Sequence, residues 1–220
     1  MDKKLLFKRI QKSRKSEKAI LIPALCAGKR VLDVGCVGQD IDYNNPGWLH
    51  NKIRNAAISL DGVDIADEGI RALRDKGYSI YTPDELRTSG KSYDLIVMSD
   101  VIEHVNDPIV FLKFYSAFLA EKGSIIITTP NAHGIRNFTN ILFRNDFAVN
   151  TEHTFWFCAK TIMEVAERAE LNFVEFYWLD EYFKLNEIKE MKFKIIHIIN
   201  RFFMKMRSNF YPNFMIILSK

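Results

Sequence analysis

Short apolar runs bounded by glycine, proline or acidic residues alternate along this chain with segments whose apolar residues recur every three or four positions. A short apolar run between turn formers reads as a buried strand, and recurrence at i, i+3, i+4 and i+7 reads as an amphipathic helix. On that basis strands are predicted over 30–35, 62–65, 78–81, 93–99, 124–129, 172–179 and 214–218. Helices are predicted over 48–57, 68–76, 108–120, 135–143 and 160–169. Punctuation supports the boundaries: Asp67 as cap and Gly77 as stop of 68–76, and Asp107 with Pro108 opening 108–120. Residues 1–22 read as one basic helix with Leu5, Leu6, Ile10, Ile20 and Leu21 on its apolar side, ended or bent at Pro23. Residues 184–207 read as a second basic helix. Strands alternating with helices imply an α/β protein with a doubly wound, mostly parallel sheet.

The length, 220 residues, fits a single domain over 1–220 with room for a sizeable core. Charge adds an asymmetry to the net +4: residues 1–18 hold +6 and residues 184–207 hold +5, leaving −7 for the rest. The basicity therefore belongs to two appendages, the N-terminal helix (1–22) and an amphipathic insertion (184–207). Cys26, Cys36 and Cys158 have no C-x-x-C spacing and read as reduced thiols. No apolar run approaches the roughly 20 residues of a membrane span, and the N-terminus lacks a signal peptide's pattern. The expectation is a cytoplasmic chain. Attachment at the inner membrane surface through 184–207 stays open, beside packing of that segment on the sheet or on a second subunit of a homo-oligomer. No nucleic-acid motif accompanies the basic segments, so no nucleic-acid partner is expected.

In open parallel sheets ligands bind outside the carboxyl ends of the strands. Those ends collect Asp33, Gly35 and Cys36; Asp64 and Ile65; Asp84 and Glu85; Ser99, Asp100 and Glu103; and Thr129, Pro130 and Asn131. Gly35 and Gly38 stand where a strand turns sharply and a ligand approaches the backbone. An acid ending the second strand, here Asp64, suits the two hydroxyls of a ribose. Asp84, in Thr82-Pro83-Asp84-Glu85, is either a ligand contact or a helix cap.

Residues 29–38, KRVLDVGCVG, resemble motif I of the class I S-adenosylmethionine-dependent methyltransferases, whose common form is acid-x-Gly-x-Gly-x-Gly. Val37 and Gln39 stand where the second and third glycines usually fall, and Gly38 is one place off. The stretch 93–108, YDLIVMSDVIEHVNDP, is similar to the motif after the fourth strand in the ubiquinone-biosynthesis-type branch. Gly123 to Asn131 and Glu152 to Phe157 add two further matches, so the resemblance covers about 30–180 and leaves the basic appendages outside.

That resemblance implies a Rossmann-like sheet closed by a C-terminal antiparallel strand. It implies S-adenosylmethionine held by Asp33, Gly35, Cys36, Gly38, Asp64, Ile65, Asp84, Glu85, Ser99 and Asp100. His153 is expected as base or acceptor contact and His104 as a catalytic or loop-orienting residue. Asp100, Glu103, His104 and His153 form a weak metal-binding pattern for Mg²⁺ or Mn²⁺, with a hydrogen-bonded loop as the expected reading. His50, in Trp48-Leu49-His50, reads as a surface helix residue, with a place facing cofactor or substrate as the alternative; His133 reads as a weaker candidate and His197 as uninvolved. The function implied is O-methylation of a small molecule or a glycan- or lipid-linked intermediate. An NAD-dependent oxidoreductase is the alternative, although G-x-G-x-x-G is absent and Asp64 lies far from the turn. A non-catalytic adaptor keeping the fold is the third reading.

Overall fold

The computed structural model describes residues 3–38, 42–146, 150–181 and 185–220; the expectations placed on Asp2, Gln39 and Lys184 lie outside them. The chain runs α1 (Lys3–Gln11), β1 (Arg14–Ser16), α2 (Lys18–Cys26), β2 (Arg30–Val34), α3 (Leu49–Arg54), β3 (Ser59–Val63) and α4 (Asp67–Asp75). It continues through β4 (Ile80–Tyr81), α5 (Pro83–Thr88), β5 (Tyr93–Ser99), α6 (Pro108–Ser116) and β6 (Leu119–Pro130). It ends with α7 (Ile135–Arg144), α8 (Ala159–Arg168), β7 (Asn172–Leu179), α9 (Met191–Met206) and β8 (Asn213–Ser219). The strands form one sheet in the order β1-β7-β8-β6-β5-β2-β3-β4. All neighbours are parallel except β8, which lies antiparallel between β6 and β7, as the resemblance implied.

This register gathers the functional ends on one edge. β2, β3, β4, β5, β6 and β7 finish there, β8 begins there with Asn213 opposite Pro130 and Leu179, and β1 finishes there with Ser16 opposite Leu179. Val31, Leu32, Ile96, Val97, Ile125 and Ile126 are fully buried on both faces of the central strands, which is why those strands read as continuous apolar runs. Asp107 caps α6 by accepting from the N–H groups of Ile109 and Val110 at 2.9 and 3.0 Å. At α4 the cap expected from Asp67 is not made: Ala66 holds the cap position and Asp67 is the first helical residue.

The single helix expected over 1–22 is replaced by α1, β1 and α2, with Pro23 inside α2. Arg14-Lys15-Ser16 has no strand pattern of its own; it extends because the edge of β7 offers unpaired backbone groups. The N-terminal segment is also no loose appendage. Leu6 and Ile10 are buried in the main core, and the Trp178 indole N–H donates to the Ile10 carbonyl at 3.0 Å. In α9 the inner face is buried through His197, Asn200 and Met204, while Met191, Ile195, Ile198 and Phe202 stay exposed. Phe138, Ile141, Leu142 and Phe143 of α7 are exposed as well. No helix among the described residues is long and apolar enough to cross a membrane.

Because Ile10 is 1% exposed, Ile10→Ala is expected to lower unfolding stability by about 2–5 kcal/mol. Urea denaturation measures it; a loss within about 0.5 kcal/mol, the usual surface value, would return residues 1–18 to the status of an appendage.

Candidate active site

Gly35 follows β2 with φ +75° and Gly38 has φ +59°, conformations that L side chains avoid. A Cβ on Gly35 would also come within 2.5 Å of Val101. The tight turn is held from β3: Asp64 Oδ2 accepts the Val37 N–H at 2.9 Å, and its Oδ1 accepts the N–H groups of Ile65 and Ala66 at 2.8 and 3.0 Å. A cleft of about 500 Å³ opens beside this turn, lined by Asp33, Gly35, Cys36, Gly38, Ser99 and Asp100. Burial pushes the Cys36 thiol well above its ordinary pKa, so it lines the cleft as a neutral group.

Of the other cofactor residues expected from the sequence, Asp64 and Ile65 stand at the end of β3 against the turn, and the Ile65 side chain is largely exposed. None of Asp64, Ile65, Asp84 and Glu85 is among the residues lining the cleft. Thr82, not Asp84, caps α5: its hydroxyl accepts the Glu85 N–H at 3.2 Å, and Glu85 returns a bond from the Thr82 N–H at 2.7 Å. Glu85 also pairs with Arg74, and Asp84 pairs with Arg87 at the surface.

Further residues line the cleft, and His50, Trp48 and Lys18 among them carry chemistry that the apolar pattern did not reveal. His50 is buried, not on the surface, because α3 packs on α2 and β3; its Nδ1 lies 2.8 Å from Asp33 Oδ2. Trp48 stacks on that imidazole with ring centroids 4.9 Å apart. Lys18, the first residue of α2, reaches the cleft because β1 ends on the same edge as β7. Burial penalises its charge, but Asp100 and Glu181 outweigh that and hold its pKa above the ordinary lysine value. Asp100 sits at φ +56°, accepts from the Thr128 hydroxyl at 2.8 Å and pairs with Lys18.

Beyond Asp100 a short 3₁₀ turn, Ile102–His104, buries Glu103 to 1% exposure. Its Oε2 accepts from the Thr129 hydroxyl at 3.1 Å, while Oε1 has no hydrogen-bond partner among the described residues. Burial first, then the nearby Asp100 charge, pushes its pKa up to about 7. The Glu103 carbonyl accepts the N–H groups of Thr154 and Phe155 at 2.9 and 3.1 Å, which brings His153 over this turn. The His153 ring meets His104 edge-on at 4.6 Å, and its buried Nδ1 lacks a partner among the described residues. Burial and then His104 lower the His153 pKa, so the imidazole is neutral near pH 7. Donor atoms of Glu103, His104 and His153 all lie within 4.8 Å of one another. Asp100 is not part of that group, its carboxylate being engaged by Lys18 and Thr128. His133 is exposed beyond β6, and His197 is buried on α9.

A family model described as a methyltransferase domain matches residues 6–175. The chain belongs to the class I S-adenosylmethionine-dependent methyltransferases. S-adenosylmethionine is accordingly the cofactor of this methyltransferase domain, and the oxidoreductase reading falls. The domain is similar to the mitochondrial ubiquinone biosynthesis O-methyltransferase of Homo sapiens, 29% identical over 55% of this chain and 34% of that protein. It is equally similar to the ubiquinone biosynthesis O-methyltransferase of Rhizobium etli, 29% identical over 50% of this chain and 44% of that one. The chain thus matches less than half the length of these curated relatives. Among solved structures, a SAM-dependent methyltransferase from Archaeoglobus fulgidus superposes over the whole of both chains with TM-score 0.60 at 19% identity. Magnesium protoporphyrin IX methyltransferase from Synechocystis, solved with bound SAH, covers 90% of this chain and 77% of its own with TM-score 0.51 at 14% identity.

Glu103 gives this methyltransferase domain a pH-dependent stability. Its buried site favours the protonated carboxyl, so that contribution is full below the ordinary value of 4.5 and is lost as pH rises through about 7. The resulting cost at pH 8 is on the order of 3 kcal/mol. In EDTA, Glu103→Gln is expected to be more stable than the native protein at pH 8 by an amount of that order and nearly equal to it at pH 5. Urea unfolding showing the same difference at both pH values would refute the assignment.

Proposed function

We propose that this domain transfers the methyl group of S-adenosylmethionine to a hydroxyl oxygen of a small amphiphilic acceptor, a glycan- or lipid-linked intermediate being the preferred class. The observation carrying this reading is the neutral, half-buried His153 beside Glu103 and His104, coupled through Asp100 to the cleft of Asp33 and Gly35. The O-methyltransferase names of the curated relatives support oxygen as the acceptor atom. Asp33, Gly35, Cys36, Gly38, Ser99 and Asp100 would hold the cofactor in the cleft, with Asp64 at the ribose. In the transfer the acceptor oxygen attacks the methyl carbon and the C–S electron pair returns to sulfur, leaving neutral S-adenosylhomocysteine. The acceptor's proton passes to His153, whose lowered pKa keeps it unprotonated for that task. His104, edge-on to His153, orients the ring.

The donor trio favours a second reading. Glu103, His104 and His153 would hold a divalent ion, their unpartnered Oε1 and Nδ1 atoms fitting a ligand role, and such an ion would ionise a bound hydroxyl by its charge. With tritiated methyl donor and a panel of phenols and glycosyl lipids, His153→Ala is expected to lose about 10²–10⁴-fold in kcat while S-adenosylhomocysteine affinity is unchanged. The acid limb of the native profile should lie below pH 6.5. A full-rate variant would remove His153 as base. Loss of activity in EDTA with recovery in Mg²⁺ or Mn²⁺ selects the metal reading. Cofactor binding with no turnover on any acceptor selects the adaptor.

The exposed outer face of α9 supports docking on an anionic lipid surface. Met191, Ile195, Ile198 and Phe202 stand beside Lys205 and beside Lys192, whose exposed pair with Glu190 at 3.0 Å must open at the surface; a cation released to the headgroups contributes on the order of 1 kcal/mol. Arg201 is excluded from that count because both Asp180 oxygens hold it at 2.6 Å. Co-sedimentation with phosphatidylglycerol vesicles is expected at low salt, fading as salt shortens the Debye length and falling in Lys192→Gln/Lys205→Gln. No binding at low salt ends this reading and leaves a protein partner for the face.

A further inference from the structure

The proposed reaction needs a seat for its acceptor outside the cofactor cleft. A second cavity, of about 230 Å³, opens between α7 and α9. From α7 it is lined by Arg136, Asn140 and Arg144, one stripe at i, i+4 and i+8. From α9 it takes Phe193, Ile196 and Asn200, one stripe at i, i+3 and i+7. The Arg144 guanidinium lies 4.8 Å from the Phe193 ring centre. No carboxylate is within ion-pair distance of Arg136 or Arg144 among the described residues. Among the described residues the one acid on the cavity wall, Glu181, lies 3.5 Å from the Lys18 ammonium.

Lys18 also pairs with Asp100 and lines the cofactor cleft, so the Asp100–Lys18–Glu181 chain of charges joins the two spaces. A site that pairs two guanidinium forks with apolar walls recognises an anion attached to an apolar body. Asn140 brings an amide group to the same cavity, while the Asn200 amide N–H is engaged by Thr139 at 3.3 Å; a further donor beside the two guanidinium forks favours the several oxygens of a phosphate over the two of a carboxylate. The volume is below the roughly 300 Å³ at which drug-sized pockets begin, so it takes a head group and the first carbons of its tail rather than a whole lipid.

We propose that the cavity between α7 and α9 is the acceptor's anchoring subsite, binding a phosphate ester carried on an apolar chain through Arg136 and Arg144. This rests on the methyl-transfer reading above and adds the acceptor's class to it. Calorimetry on the full chain, with and without S-adenosylhomocysteine, uses hexyl phosphate as probe, and inorganic phosphate, hexanoate and hexyl glucoside as comparisons. Hexyl phosphate is expected to bind at least tenfold more tightly than each of the three. Arg136→Gln/Arg144→Gln should lose at least tenfold for hexyl phosphate and nothing for S-adenosylhomocysteine, which also reports that the variant is folded. Equal affinity for inorganic phosphate would make the site one for a free anion and overturn the proposal, as would equal affinity for hexanoate or hexyl glucoside, or undiminished binding in the variant. Failure of S-adenosylhomocysteine to bind would strike the methyl-transfer reading instead, and the hexyl phosphate titration run without it still decides the subsite.

Discussion

The Lys18 ammonium holds three parts of the molecule in one place. It starts α2, pairs with Asp100 at the end of β5 and lies 3.5 Å from Glu181 just past β7. A lysine this enclosed loses much of its hydration, and such a charge persists only if its partners return more than desolvation removes. Its raised pKa says that they do. The pair fixes Asp100 in its left-handed conformation, and Asp100 begins the turn that carries Glu103 and His104. The position of the Glu103–His104 turn relative to the cleft of Asp33 and Gly35 therefore depends on a contact between the N-terminal segment and the far side of the sheet.

Around that pair, polar groups are treated in two ways. At the cofactor side they are satisfied: Asp33 by His50, and Asp64 by three backbone N–H groups. This is the ordinary rule for half-buried polar atoms, and it preshapes the turn before a ligand arrives. At the Glu103–His104 turn the rule is broken, with Glu103 Oε1 and His153 Nδ1 both buried and unpartnered among the described residues. A fold tolerates such groups where a ligand or a proton will supply the missing partner. The contrast separates a satisfied turn at Asp33 and Asp64 from a Glu103–His153 cluster with open hydrogen-bonding atoms.

How much of this was legible in the sequence follows the range of the physics involved. Strands 93–99 and 172–179 match β5 and β7 residue for residue, since an apolar run between turn formers is a local signal. The cap at Asp107 is equally local. The glycine turn, the acid ending β3 and the Glu103-His104 turn were found because motif residues stand at fixed spacing. β1 was not found, because Arg14-Lys15-Ser16 carries no apolar pattern and becomes a strand only when β7 presents an open edge. The core role of Leu6 and Ile10 was hidden by the lysines around them, which stay in solvent while one stripe of α1 is buried.

The sequence by itself determined the fold class, the family and the set of chemical groups gathered at the strand ends, because periodicity and motif spacing act over a few residues. Tertiary structure alone decided which groups face each other. It put His50 on Asp33, sent Lys18 to Asp100, bound Glu85 into a helix cap and left Glu103 Oε1 and His153 Nδ1 unpartnered among the described residues. It also set Arg136, Asn140 and Arg144 across from Phe193 and Asn200, residues far apart along the chain. Charge pairing and burial depend on distance in space, and no spacing along the chain records which helix will pack against which.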